Sequence, residues 1–214
     1  MNEQTSLFLD YGELIFNYDF NKTTLLKAHK LALDYINSRN GYKLDLGKLT
    51  KAHDKSIGTY LKARQDNSEW AMDKIMGIML VDLGLNKKMV PDISEIYKLN
   101  DHNSTPMDST LEALPELAKT KKLGIISNLP HNSLIYELKK YDLLKFFDTI
   151  TISYQVGFRK PHPKIYQEAI KRAKIKPEES IFASHDEKEV IGAERSGMKA
   201  FLAKSLDEVI GALT

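Results

Sequence analysis

The chain has 214 residues, 42% of them hydrophobic and 28% charged, with no cysteine and a net charge of +2. That length allows one large domain or two small ones around a real core. The near-neutral balance gives no strong field for nucleic acid or a membrane surface, and the missing cysteine excludes disulfides, thiolate metal sites and a thiol nucleophile.

The basic clusters at Lys119, Lys121 and Lys122 and at Lys171, Arg172, Lys174 and Lys176 read as solvated helix faces or ends. The apolar region from Ile75 to Leu85 is too short and too interrupted to span a bilayer, and the N-terminus lacks the basic start of a leader. A cytoplasmic protein is expected, with no membrane and no nucleic-acid partner.

In chain order, Leu7-Phe-Leu9 runs directly into Asp10 and Gly12. A short apolar run stopped by Asp-x-Gly predicts a buried strand of a parallel sheet, ending in a loop. Ligands in such sheets bind at the carboxyl ends of the strands, which puts Asp10 where chemistry happens. A turn is expected at Phe16–Phe20. Asn21 then caps a helix with Leu25, Ala28, Ala32, Tyr35 and Ile36 on one face, ended by Asn40-Gly41. Further helices are expected over 47–64, from Ser68 through Trp70, Ile75, Ile78 and Met79 to Gly84, and from Pro91 to Leu99. The third is apolar around most of its girth and reads as the centre of a small bundle. His29 and His53 read as surface or packing residues.

The turn-rich stretch 100–107 marks a boundary, beyond which helices and strands alternate. Ser109 and Glu112 predict a capping box for a helix to Lys119, with Pro115 kinking or shortening it. A strand over Leu123–Ile126 ends in Ser127-Asn128, and Pro130 starts a helix through Leu138. Phe147–Ile152 is the next strand, followed by the rigid loop Gly157–Pro163 and a helix carrying Ile165, Tyr166, Ala169, Ile170 and Ala173. Ser180–Ala183 is a strand ending in Ser184-His185-Asp186. Ser184 and Glu187 read as a capping box for a helix from Glu187 to Ser196, stopped by Gly197 before a last strand at Lys199–Leu202. Alternating strands and helices imply βαβ units and a parallel sheet. Residues 1–16 and 101–214 therefore form one α/β core domain, and 17–100 form an all-helical insertion after the first strand. So placed, the insertion is expected to act as a lid that excludes water.

Asp10, Ser127 with Asn128, Lys160 and Ser184-His185-Asp186 all follow strand ends. A carboxylate, a hydroxyl and a lysine converging on one crevice suit phosphoryl transfer through an aspartyl intermediate. The carboxylate attacks phosphorus, the hydroxyl and the N–H groups at the Pro130 helix start bind phosphate oxygens, and the lysine neutralises charge. His131, His162 and His185 also fall just after strand ends, and His185 is the first choice among them for proton transfer or transition-metal chemistry.

These residues resemble the haloacid dehalogenase superfamily of hydrolases, in the branch with a helical cap after the first strand. The resemblance rests on Leu7-Phe-Leu-Asp10-Tyr-Gly, Ile125-Ile-Ser127-Asn128, Gly157-Phe-Arg-Lys160-Pro-His-Pro-Lys-Ile-Tyr166 and Ile181-Phe-Ala-Ser-His185-Asp-Glu-Lys-Glu-Val190. It implies a Rossmann-like parallel sheet flanked by helices, with an inserted all-helical cap domain. It implies Asp10 as nucleophile, Lys160 as the stabilising cation, and phosphate contacts from Ser127 and Asn128. Magnesium (Mg2+) is the implied cofactor and a small phosphorylated metabolite the implied substrate. Two positions depart from the family pattern. Gly12 stands where a general acid is usual, keeping only its carbonyl for a metal. His185 stands where a metal-binding aspartate is usual, leaving Asp186 or Glu189 to reach the metal instead. A substrate with a good leaving group, such as a sugar-1-phosphate or an acyl phosphate, suffers least from the missing acid. The same departures point to an alternative, a metal-independent 2-haloacid dehalogenase-like hydrolase, and a third reading is a catalytically impaired relative that binds a phosphorylated ligand or partner. No motif speaks to oligomeric state.

Overall fold

Uninterrupted apolar runs pair as the buried centre of a parallel sheet. In the computed structural model, which describes residues 5–39 and 41–214, this holds for β1 (Ser6–Leu9), β4 (Lys122–Ser127) and β6 (Ser180–Ser184), and β5 (Phe147–Ile152) and β7 (Lys199–Leu202) add the two less buried edges. They form one parallel sheet in the order β5-β4-β1-β6-β7. β1 is central, with Leu9 level with Ile125 on one side and Ala183 on the other.

Side chains alternate across a strand, so β1 feeds two cores. Leu7 and Leu9 join a cluster with Ile125, Ala183 and the apolar faces of α5 (Thr110–Thr120), α6 (Ser133–Lys140) and α10 (Leu206–Leu213). Phe8 joins Ile126, Phe182 and the faces of α8 (Pro163–Ala173) and α9 (Glu187–Arg195). This is the α/β, Rossmann-like arrangement, with helices on both faces of the sheet.

The chain divides into two compact units, one running through Tyr18 and resuming over Ser104–Thr214, the other covering Asp19–Asn103. The second is helical: α1 (Lys22–Asn37), α2 (Leu46–Ala63), α3 (Met72–Asp82) and α4 (Val90–Asn100) enclose Ala28, Ile36, Leu49, Met76, Met79 and Tyr97. Asn21 caps α1 by accepting from the N–H groups of Thr23 and Thr24. The expected stop at Asn40-Gly41 lies partly outside the described residues, at Asn40; α1 gives way to Ser38, and Gly41 has a φ of +87°. His29 and His53 are packing residues, both buried, with His29 Nδ1 2.8 Å from the Tyr97 hydroxyl and His53 stacked on the Tyr97 ring. Among the described residues no helix is long and apolar enough to cross a membrane.

Several local expectations are corrected. The turn expected at Phe16–Phe20 is instead β2 (Phe16–Asp19), paired with β3 (Asn103–Pro106) inside the stretch read as a boundary loop. The third helix starts at Met72, because Ser68 and Trp70 belong to the preceding turn, where the Ser68 hydroxyl donates to the Ala63 carbonyl. Ser109 makes no side-chain cap, and the Thr110 hydroxyl bonds the Ile15 carbonyl at 2.7 Å. Pro115 sits inside an unbroken α5, where burial of Ala113, Leu114 and Leu117 outweighs the lost backbone bond. The helix expected from Pro130 begins only at Ser133. A short helix, α7 (Ser153–Val156), and the C-terminal α10 were not expected.

Candidate active site

Asp10 follows β1 and continues its ladder, donating its N–H to the Ala183 carbonyl at 2.9 Å. The register carries it level with Ile126 and Ser184, one rung short of Ser127. Only 5% of Asp10 is exposed. Its Oδ1 lies 2.5 Å from Lys160 Nζ and accepts from the Tyr11 N–H at 2.7 Å. Its Oδ2 accepts from the Ser184 hydroxyl at 3.1 Å and lies 3.3 Å from His185 Nδ1. Burial alone would raise the Asp10 pKa, but the Lys160 charge and the His185 ring outweigh it and hold the carboxyl at about 2. Asp10 is therefore ionised at neutral pH.

Lys160 is brought to Asp10 by the loop between α7 and α8, and its ammonium is also 2.7 Å from Glu189 Oε2. Burial works against its charge, yet the Asp10 and Glu189 carboxylates raise its pKa above the ordinary lysine value. Glu189, on the first turn of α9, has its pKa raised by burial, against the pull of Lys160. The Asn128 side chain ties this group together. Its Oδ1 accepts from the Lys160 N–H at 2.8 Å, and its Nδ2 donates to Glu189 Oε1 at 3.0 Å and to the Lys160 carbonyl at 3.3 Å. The side chain expected on phosphate thus holds the lysine loop. Gly192 lets α9 approach the same loop, since a Cβ there would meet the Cβ and carbonyl oxygen of Pro161 at 2.7 Å. Glu189 entered the sequence reading only as a residue that could reach a metal. Its place one turn into the helix after the β6 end was the signal for its contact with Lys160.

His185 bridges two carboxylates, with Nδ1 towards Asp10 and Nε2 3.4 Å from Glu13 Oε2. Its contact with Asp10 raises its pKa above the usual histidine value, burial opposes this, and the Glu13 charge adds to the rise. Glu13 was not expected in the site; a left-handed backbone, φ 60°, turns it back after Gly12, and no residue-type pattern marks that turn. Gly12 itself has open space where a Cβ would stand. Ser127 is buried at the end of β4. Asp186 caps α9, accepting from the Lys188 N–H at 2.7 Å, which is the cap that sequence spacing assigned to Ser184. Ser184 instead turns its hydroxyl to Asp10 and to Glu189 Oε2, 2.8 Å away. His162 caps α8 by accepting from Lys164, and His131 Nδ1 accepts from the Ser133 N–H at the start of α6.

A magnesium ion held as the resemblance implies would take Asp10, the Gly12 carbonyl and a carboxylate at position 185. The residues present do not fit that set. Position 185 is an imidazole, a poor partner for a cation that prefers oxygen. Asp186 is engaged with its own helix, Glu189 is engaged with Lys160, Ser184 and Asn128, and both Asp10 oxygens already have partners.

The chain is similar over 102 residues, at 34% identity, to the glyceraldehyde 3-phosphate phosphatase of Methanothermobacter thermautotrophicus, which covers 47% of this chain and 45% of that protein. It is 29% identical over 93 residues to the pyrophosphatase PpaX of Bacillus mycoides, covering 43% of each. The chain thus spans less than half the length of these curated relatives. A crystal structure of a 2-haloacid dehalogenase from Pseudomonas syringae superposes with a TM-score of 0.69 at 16% identity, covering 98% of this chain and 97% of that one, which is a likeness of fold. The family model for haloacid dehalogenase-like hydrolases matches residues 23–203, a stretch that holds Lys160 and Glu189 and starts after Asp10. With most of its length matched, the chain belongs to the haloacid dehalogenase-like hydrolase family.

Proposed function

We propose that the chain is a phosphatase that passes the phosphoryl group of a small metabolite to Asp10 and then to water. The observation that carries this reading is the buried Lys160 ammonium, 2.5 Å from Asp10 and 2.7 Å from Glu189 at the carboxyl end of the central strand. Oδ1 is held by Lys160 and the Tyr11 N–H, so Oδ2, with its longer contacts, is the attacking atom. In the first step Oδ2 bonds to phosphorus and the bond to the leaving oxygen breaks, that oxygen keeping the electron pair. In the second, water bonds to phosphorus, the Asp10 carboxylate departs and the water's proton passes to solvent. Lys160 balances the charge of the transferring group in both.

Gly12 supplies no proton to the leaving group. The site therefore favours substrates whose leaving group is stable as an anion, such as acyl phosphates, sugar-1-phosphates or pyrophosphate. The pyrophosphatase among the relatives bears a name consistent with that preference. We place the protein in the cytoplasm, acting on a small molecule, with no nucleic-acid or membrane partner.

Hydrolysis of p-nitrophenyl phosphate tests the reading, because phenolate is a good leaving group. The parent should turn over, and Asp10→Asn should lose at least about 10³-fold. Equal rates in parent and variant would overturn it. A second reading, displacement of halide from carbon by Asp10, is favoured by the missing acid at Gly12, since halide needs no proton. Halide release from a 2-haloacid, without phosphate release from any ester, would replace the first reading by the second. Ligand-dependent thermal stabilisation with neither product would mark a binding protein.

A further inference from the structure

His185 is the residue that replaces the metal-binding aspartate, and its ring stands between Asp10 Oδ2 at 3.3 Å and Glu13 Oε2 at 3.4 Å. We propose that this site works without a divalent cation, the His185 ring taking the cation's place between Asp10 and Glu13. The inference deepens the phosphatase reading and rests on it for its turnover measurements alone.

Three observations carry it. First, the ring stands against the Asp10 oxygen that Lys160 does not hold, with a second carboxylate, Glu13, on its other side. Second, neither Asp186 nor Glu189 refills the site. Asp186 is turned onto the Lys188 N–H, and Glu189 is held by Lys160, Ser184 and Asn128. Third, Glu13 is 71% exposed at its side chain, with a left-handed backbone that aims it back at His185 rather than into solvent alone. Glu13 is thus a positioning residue for the ring. Adding a divalent cation beside Asp10 would require the ring to leave both carboxylates.

The test is titration calorimetry of the full chain, after dialysis against a chelator, with Mg2+, Mn2+ and Zn2+ in turn. The proposal expects no binding that Asp10→Asn removes, up to millimolar concentrations, and p-nitrophenyl phosphate turnover equal with chelator and with Mg2+. It also expects His185→Asp to gain Mg2+ binding, with circular dichroism showing that the variant is folded. Binding of any of these cations to the parent that Asp10→Asn abolishes would overturn the proposal. So would chelator-sensitive turnover restored by Mg2+, or a folded His185→Asp that still binds no Mg2+. A parent that binds no cation and hydrolyses no phosphate ester leaves the cation-free site standing and removes the phosphatase reading, so the two failures are distinct.

Discussion

Asp10 is a buried carboxylate that stays charged because a lysine is buried with it. Its folded pKa, about 2, lies below the ordinary 3.8. A carboxyl depressed in this way stabilises the fold above its unfolded pKa, and that contribution is lost as pH falls through the folded value. Asp10 should therefore contribute about 2 kcal/mol at pH 5 that disappears towards pH 2. Urea melts at stepped pH should show parent and Asp10→Asn converging as the solution is acidified; a constant gap would refute the assignment. Lys160→Met would leave Asp10 and Glu189 facing each other without their cation. It should cost about 3–5 kcal/mol of stability and remove turnover, both measurable on purified variant. Asn128 separates two roles by kinetics. If it holds the lysine loop, Asn128→Ala lowers kcat and stability by about 1–3 kcal/mol and leaves inhibition by inorganic phosphate unchanged. A shift in phosphate inhibition alone would return it to the phosphate.

Elements place these residues, and α9 does so through a close approach. Gly192 touches Pro161, the residue after Lys160, with no room for a Cβ. Gly192→Ala should push the Lys160 loop away from α9. The expected loss is about 1–3 kcal/mol of stability, with turnover falling alongside. Denaturant melts and p-nitrophenyl phosphate rates check both, and unchanged rates would show that the loop gives way elsewhere. The strands that carry the site were legible because apolar runs at Leu7–Leu9, Leu123–Ile126 and Ser180–Ala183 have no other stable home than a buried sheet. β2 was not, since Phe16-Asn-Tyr-Asp is too short to separate from a turn until its partner Asn103–Pro106 is known. Caps were only half legible. Ser184 has the spacing of a cap, but a buried carboxylate beside it claims the hydroxyl, and the neighbouring Asp186 takes the helix end. The same limit applies to the site. Asp10, Lys160 and His185 could be read from strand ends, whereas Glu13 could not, because its return depends on one left-handed backbone angle.

Across the whole molecule, the two units carry their titrating groups differently. In the α/β unit Asp10 is paired with Lys160, and that pair withstands acid until the Asp10 carboxylate protonates. In the helical unit the buried groups include His29 and His53, with ring centroids 4.7 Å apart and Tyr97 against both. Burial lowers the pKa of each, His53 to about 3 with help from the neighbouring His29 ring. A histidine kept neutral by the fold binds its proton more readily when unfolded. The stability it leaves intact above pH 6.5 is therefore withdrawn as pH falls from 6.5 towards 3. Trp70, the one tryptophan, lies in this unit and reports on it by fluorescence. Its unfolding midpoint in urea should fall steadily between pH 7 and pH 4. His53→Phe keeps a ring against Tyr97 and removes one titrating group, so its midpoint should fall less over the same range. Parallel curves for parent and variant would show that His53 is not what makes the helical unit sensitive to acid.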